Sequence, residues 1–164
     1  MYSSVGSHVA HPPKSNNKTA IIWAHPAIGK TYLINDNKYS HQFMDWDVEF
    51  NKRRDNWISQ HSNIEIESDL FKSTREYYQI HWDEIPEFKK FVTKEWERIK
   101  AKANIENKIL VASPHMLLQM FPSEFDSILT MSSEDFVNRN VNRGYSEENS
   151  LLWKEGIDES INIL

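Results

Sequence analysis

The sequence predicts an α/β protein, with three layers, α/β/α, around a mostly parallel sheet of four to five strands. Strands and helices alternate along the chain, the pattern of such domains. Two apolar runs, Ala20–Trp23 and Lys108–Ala112, are continuous where a strand with one wet face would alternate, so their strands are covered on both faces. The first run passes through a short loop into a helix-compatible stretch, the order strand, tight loop, helix.

Taken in order, residues 1–18 are rich in Ser, His, Pro and Asn and read as a flexible tail, with His8 and His11 as solvated side chains. Residues 19–164 read as one domain, which the length of 164 residues suits. Ala20–Trp23 is the first strand, and a helix follows over about 29–37. Ser40–Asp45 is a second strand ending in acidic residues. A helix from Val48 to about His61 is anchored by Phe50, Trp57 and Ile58. Ser68–His81 can hold a helix with Leu70, Phe71, Tyr77 and Tyr78 inward. The next helix starts at Asp83 or Glu84 with Pro86 near its first position. Its Phe88, Phe91, Val92, Trp96, Ile99 and Ala103 recur at helical spacing as a core stripe. Lys108–Ala112 is a central strand, Pro114–Met120 a short helix and Asp126–Met131 a further strand. Ser132 caps a helix that Gly144 ends, and a last helix runs from Ser146 to Ser160.

Composition limits the function classes. The net charge of −5 argues against a uniformly basic nucleic-acid-binding surface. Cysteine is absent, which excludes disulfides, thiolate metal sites and a Cys nucleophile. No apolar run is long enough to span a membrane and no secretory pattern opens the chain, so a cytoplasmic location is expected.

The chemistry concentrates after the strands, where ligands of an open α/β sheet bind. The first strand leads into Ala24-His25-Pro26-Ala27-Ile28-Gly29-Lys30-Thr31. Such a loop turns successive backbone N–H groups toward phosphate oxygens, and the following helix adds its positive end. In such a loop Lys30 would reach the β- and γ-phosphates and the Thr31 hydroxyl would hold Mg²⁺. His25 either touches phosphate or points to solvent. The second strand ends in Asp45-Trp46-Asp47, whose carboxylates share one side if the segment is extended. They could bind Mg²⁺ through water or take a proton from an acceptor, or Asp47 could cap the next helix. Arg53 and Arg54 either hold an acceptor phosphate or are exposed helix charges. Arg139 and Arg143, four apart, form a clamp on transferring phosphate or a solvated helix face. His115 is a substrate-site residue or a surface or capping group. Trp46, Trp57, Tyr77 and Tyr78 could stack on a base but read more simply as core.

On these residues the sequence resembles the P-loop nucleotide and small-molecule kinases, the group that includes adenylate, thymidylate, shikimate and gluconate kinases. It is most similar in motif order to small kinase-like proteins of phages and bacteria. The resemblance rests on Ile21–Thr31, Asp45-Trp46-Asp47, Ser113-Pro114-His115 and Arg139 to Gly144. It implies a P-loop NTPase fold and phosphoryl transfer from ATP with Mg²⁺ to a nucleotide or small-molecule acceptor. Gly29, Lys30 and Thr31 then match the phosphate and metal positions. Asp45 matches the acid that organises Mg²⁺, Asp47 the acid at the acceptor hydroxyl, and Arg139 and Arg143 the lid arginines. Two positions depart from the pattern. Ala24 stands where the first glycine is usual, and the strand at Lys108–Ala112 ends in Ser113 where many NTPases carry an acid. A nucleotide-binding switch without an acceptor, or a non-catalytic scaffold, are the competing expectations.

Overall fold

The computed structural model describes residues 8–10, 19–25 and 40–162. Pro26–Thr31 and the helix expected over 29–37 lie outside the described residues. The chain forms two compact units, Met1–Asp45 with Ala103–Leu164, and Trp46–Lys102.

The first unit is an α/β unit built on five strands in the order β1-β5-β2-β4-β3. The strands are β1 (His8–Ala10), β2 (Ile21–Ala24), β3 (Phe43–Asp45), β4 (Ile109–Ala112) and β5 (Ser127–Leu129). β2 to β5 are mutually parallel, and β1 runs antiparallel to β5, with His8 opposite Leu129 and Ala10 opposite Ser127. The segment read as a flexible tail therefore contains an edge strand. It is too short and too weakly patterned to announce itself: its pairing with β5 comes from a neighbour distant in sequence. β3 is likewise shorter than Ser40–Asp45, because Ser40–Gln42 is wound into a 3-10 turn.

Leu110, Val111 and Ala112 are all buried although successive side chains face opposite ways, so β4 is covered on both faces. The strand ends are stitched by polar contacts. Asp126 accepts the Ile21 N–H on Oδ2 at 2.7 Å, and Asn104 Oδ1 accepts both the N–H and the hydroxyl of Thr19. Among the described residues the α-helices lying wholly in this unit are α4 (His115–Met120), α5 (Ser133–Asn142) and α6 (Glu147–Asn162), α6 packing on both others. Ser132 caps α5 as expected, its Oγ accepting the Asp135 N–H at 3.2 Å. Gly144 ends it at φ +96°, with Tyr145 N–H on Asn140 O and Gly144 N–H on Val141 O, the paired bonds of a Schellman cap.

The second unit is helical: α1 (Trp46–Ser62), α2 (Phe71–Ile80) and most of α3 (Pro86–Glu106). Its core is aromatic. Trp46 stacks on Phe50 with centroids 4.2 Å apart, and Trp57 stacks on Phe91 at 5.2 Å and meets Phe88 at 5.5 Å. This concentration of rings gives 46–102 a core of its own, which is why it stands as a separate unit. Trp46 and Trp57 are thus packing residues. In α2 only Phe71 is fully buried; Leu70 and Tyr77 are 63% and 56% exposed, contrary to the inward stripe expected. Asn63, at φ 56°, closes α1 with a bond from Ile64 N–H to Ser59 O, a role Asn takes because it tolerates the left-handed region. Among the described residues no helix is long and apolar enough to cross a membrane.

Candidate functional site

β2 is an interior strand, flanked by β4 and β5. From β2 the chain next enters the sheet at β3, beyond β4; from β4 it enters at β5, on the opposite side of β2. The connections leaving β2 and β4 therefore run in opposite directions across the sheet, the topology at whose carboxyl strand ends ligands of open parallel sheets bind. Ala24 ends β2 at that position, and Pro26–Thr31 follow it in the chain.

The base of the loop is held on both sides. The His25 N–H bonds Leu129 O at 2.9 Å, extending the ladder to β5, so this amide serves the sheet and is not one of the phosphate donors. On the other side Trp23 Nε1 donates to Pro114 O at 3.0 Å, fixing the turn after β4. The His25 ring is fully buried, against Phe136 of α5 at 4.6 Å and Trp23 at 6.0 Å between centroids. It does not point to solvent. Ala24 is an ordinary strand residue, and among the described non-glycine residues only Asn63 and Asn107 have positive φ. A Cβ at position 24 therefore carries no backbone strain.

Asp45 ends β3 opposite Val111. Since β3 lies two strands from β2, Asp45 stands roughly 10 Å across the sheet from it. The expected extended Asp-x-Asp segment is not formed, because α1 begins at Trp46 and Asp47 falls in its first turn. There its charge complements the helix dipole.

Arg53 and Arg54 belong to the helical unit and serve it. Arg53 Nε meets Glu95 Oε1 at 2.6 Å, while Arg54, 8% exposed, bonds Asp55 and Asn51. Burial of Arg54 rules out the exposed helix charge considered from sequence. In the α/β unit, Arg139 lies in α5, but α5 ends at Asn142 and Arg143 is its C-cap at φ −91°, ψ 3°. The Arg143 N–H still bonds Arg139 O at 3.1 Å, so the two arginines lie one turn apart at the end of the helix. The Arg143 guanidinium lies 5.8 Å from the Tyr145 ring centroid.

His115 opens α4. Burial holds its pKa below the ordinary 6.5, so the imidazole is neutral at neutral pH and can exchange a proton but is no cationic clamp. The same burial makes a stability prediction. The unfolded chain takes up this proton at a pH where the folded one does not. Stability should fall as pH drops through about 6.5 and level off below the lowered folded value. Urea unfolding at pH 7.5 and 5.5 should show a smaller difference in His115→Gln than in the wild type.

The residue to which the sequence gives no role of its own is Ser113, the strand end and first residue of Ser113-Pro114-His115. It is 7% exposed, and its Oγ has no hydrogen-bond partner among the described residues. Its signal was the polar residue at the end of a fully apolar strand. Among the described residues no group of three or more His, Asp or Glu gathers to hold a metal ion. No protein-family model, curated protein or solved structure matches the chain.

Proposed function

We propose that the α/β unit binds a nucleoside triphosphate with Mg²⁺ at Ala24–Thr31 and transfers its terminal phosphoryl group to a nucleotide or small-molecule acceptor. The observation that carries this reading is the position of the motif. Ala24-x4-Gly29-Lys30-Thr31 leaves an interior parallel strand at the switch point of its sheet. Loop N–H groups would cradle the phosphates, and Lys30 would neutralise charge on the β- and γ-phosphates. Thr31 would hold the metal, with Asp45 bound to it through water. Mg²⁺, when bound, supplies charge neutralisation on the transferring group. In the reaction the bond from the γ-phosphorus to the β–γ bridging oxygen breaks and a bond to the acceptor oxygen forms. The acceptor proton is released, and the nucleoside diphosphate leaves. Arg139 is the arginine of α5 assigned to the phosphate charge.

A nucleotide-binding switch is the second reading. It is favoured by the engagement of Arg53 and Arg54, the acceptor-phosphate candidates, in ion pairs and hydrogen bonds of the helical unit. Rapid release of the diphosphate that depends on an added acceptor supports the kinase, and slow hydrolysis regardless of acceptor supports the switch.

The test of the loop itself is thermal. A ligand at about a hundred times its Kd adds about 2.7 kcal/mol, on the order of 5–10 °C for a chain of this size. ATP or GTP with Mg²⁺ should raise the midpoint by that amount in the wild type and leave Lys30→Ala unmoved. No rise in the wild type with any nucleotide refutes the reading.

A further inference from the structure

Residues 65–87 of the helical unit carry seven carboxylates and two cationic side chains, a net charge of −5 that equals the charge of the whole chain. The rest of the chain is neutral in sum. The same stretch displays apolar side chains: Leu70, Tyr77 and Ile80 are each more than half exposed. α2 is held to its unit by Phe71, which is buried, and by Tyr78, whose ring meets Trp57 at 5.6 Å and Phe88 at 5.5 Å. Leu70, Ser73, Tyr77 and Ile80 recur at i, i+3, i+7 and i+10, the spacing of a helix-pairing seam. Asp69 and Glu76, two turns apart, border that seam on one side. The hydroxyls of Ser73 and Thr74 turn back onto the Leu70 carbonyl at 3.0 and 2.9 Å, which leaves the seam low between Leu70 and Tyr77. The stripe is also held in place. Ser68 Oγ accepts the Leu70 N–H at 3.2 Å, and His81, joined to Glu84 at 2.8 Å, lies 4.6 Å from the Tyr77 ring. A fixed apolar stripe rimmed by charge marks an interaction surface.

We propose that this exposed face of α2 docks a basic amphipathic helix of a partner protein. Apolar side chains of that helix pack over Ser73 and Thr74, between Leu70 and Tyr77, and its flanking Lys and Arg side chains meet Asp69 and Glu76. Charge decides the occupant. A second copy of this chain would set the same carboxylates against each other, and nucleic acid and anionic lipid surfaces are repelled for the same reason. Of the two cations in the stretch, Arg75 is engaged within the unit, at 3.9 Å from Asp55. A ten-residue helix with its flanking turns buries less than about 1,200 Å² in total, so the complex belongs to the transient class.

The probe is a fluorescein-labelled synthetic peptide of about 18 residues, long enough to form a helix, with Leu along one face and Lys on its flanks. Two controls share its length: one carries Glu at every Lys, and one keeps the composition but spreads the Leu residues around the helix. Anisotropy titrations with the full chain should show saturable binding of the Lys peptide, none of the Glu peptide and weaker binding of the spread peptide. Leu70→Ser combined with Ile80→Ser should weaken the Lys peptide about tenfold or more. Its thermal midpoint should stay near that of the wild type, because both side chains already face water. Asp69→Lys combined with Glu76→Lys should weaken the Lys peptide and gain affinity for the Glu peptide. Undiminished binding in Leu70→Ser/Ile80→Ser, or equal binding of the spread peptide, reduces the attraction to net charge and overturns the inference. No saturable binding of the Lys peptide overturns it as well. A wild-type dimer in sedimentation equilibrium that is lost in Leu70→Ser/Ile80→Ser assigns the face to a second copy and also overturns it.

Discussion

Trp23→Ala should destabilise the α/β unit by about 3–5 kcal/mol, the range for deleting a buried large aromatic side chain. Trp23 is fully buried in β2, the interior strand that carries the loop. Its ring lies beside the buried His25, and its Nε1–H bonds Pro114 O across the end of β4. Truncation removes the packed indole and leaves the Pro114 carbonyl without this donor. Trp23→Phe separates the two effects. It keeps most of the apolar area and loses the hydrogen bond, so it should cost about 1–2 kcal/mol. Urea unfolding followed by circular dichroism measures both. Equal losses in the two variants would assign the whole effect to the hydrogen bond and contradict the packing argument.

Glu95→Ala should cost the helical unit about 2 kcal/mol, below the roughly 3–5 kcal/mol for breaking a fully buried ion pair. The Glu95 carboxylate, on α3, is 3% exposed and is shared by Arg53 at 2.6 Å and Arg98 at 2.9 Å. The figure stays low because Arg53 and Arg98 retain 55% and 34% of their side-chain exposure and can return to water. Burial by itself pushes the Glu95 pKa up, but hydrogen bonds and charge from Arg98 and Arg53 outweigh it, and the net shift is below the ordinary 4.5. Glu95 therefore contributes stability that is complete above pH 4.5 and is lost as pH falls through the lower folded value. Acid unfolding should show this loss in the wild type and lack it in Glu95→Gln, which keeps the shape and removes the charge. A wild-type acid profile that matches Glu95→Gln would show that the carboxylate is not held charged.

The helices were the legible part of the chain. Of the expected stripe, Phe88, Val92, Trp96, Ile99 and Ala103 are buried and Phe91 is half-buried, because 3.6-residue periodicity is a local property. The cap at Ser132 and the stop at Gly144 were legible for the same reason, each being decided within a few residues. β1 and the short β3 were less so, since a three-residue strand draws its stability from partners elsewhere in the chain. The exposure of Leu70 and Tyr77 and the burial of Arg54 likewise depend on which helix faces which.

For the site, the sequence alone determined the loop motif, the strand before it and the placement of polar residues after each strand. These are matters of residue type and order, which covalent chemistry sets. Only the tertiary structure decided that β2 lies between β4 and β5, that Asp45 is two strands away and Ser113 one, and that Arg53 pairs with Glu95. Strand order, register and charge pairing arise from contacts between residues far apart in the chain. Local pattern carries no record of them.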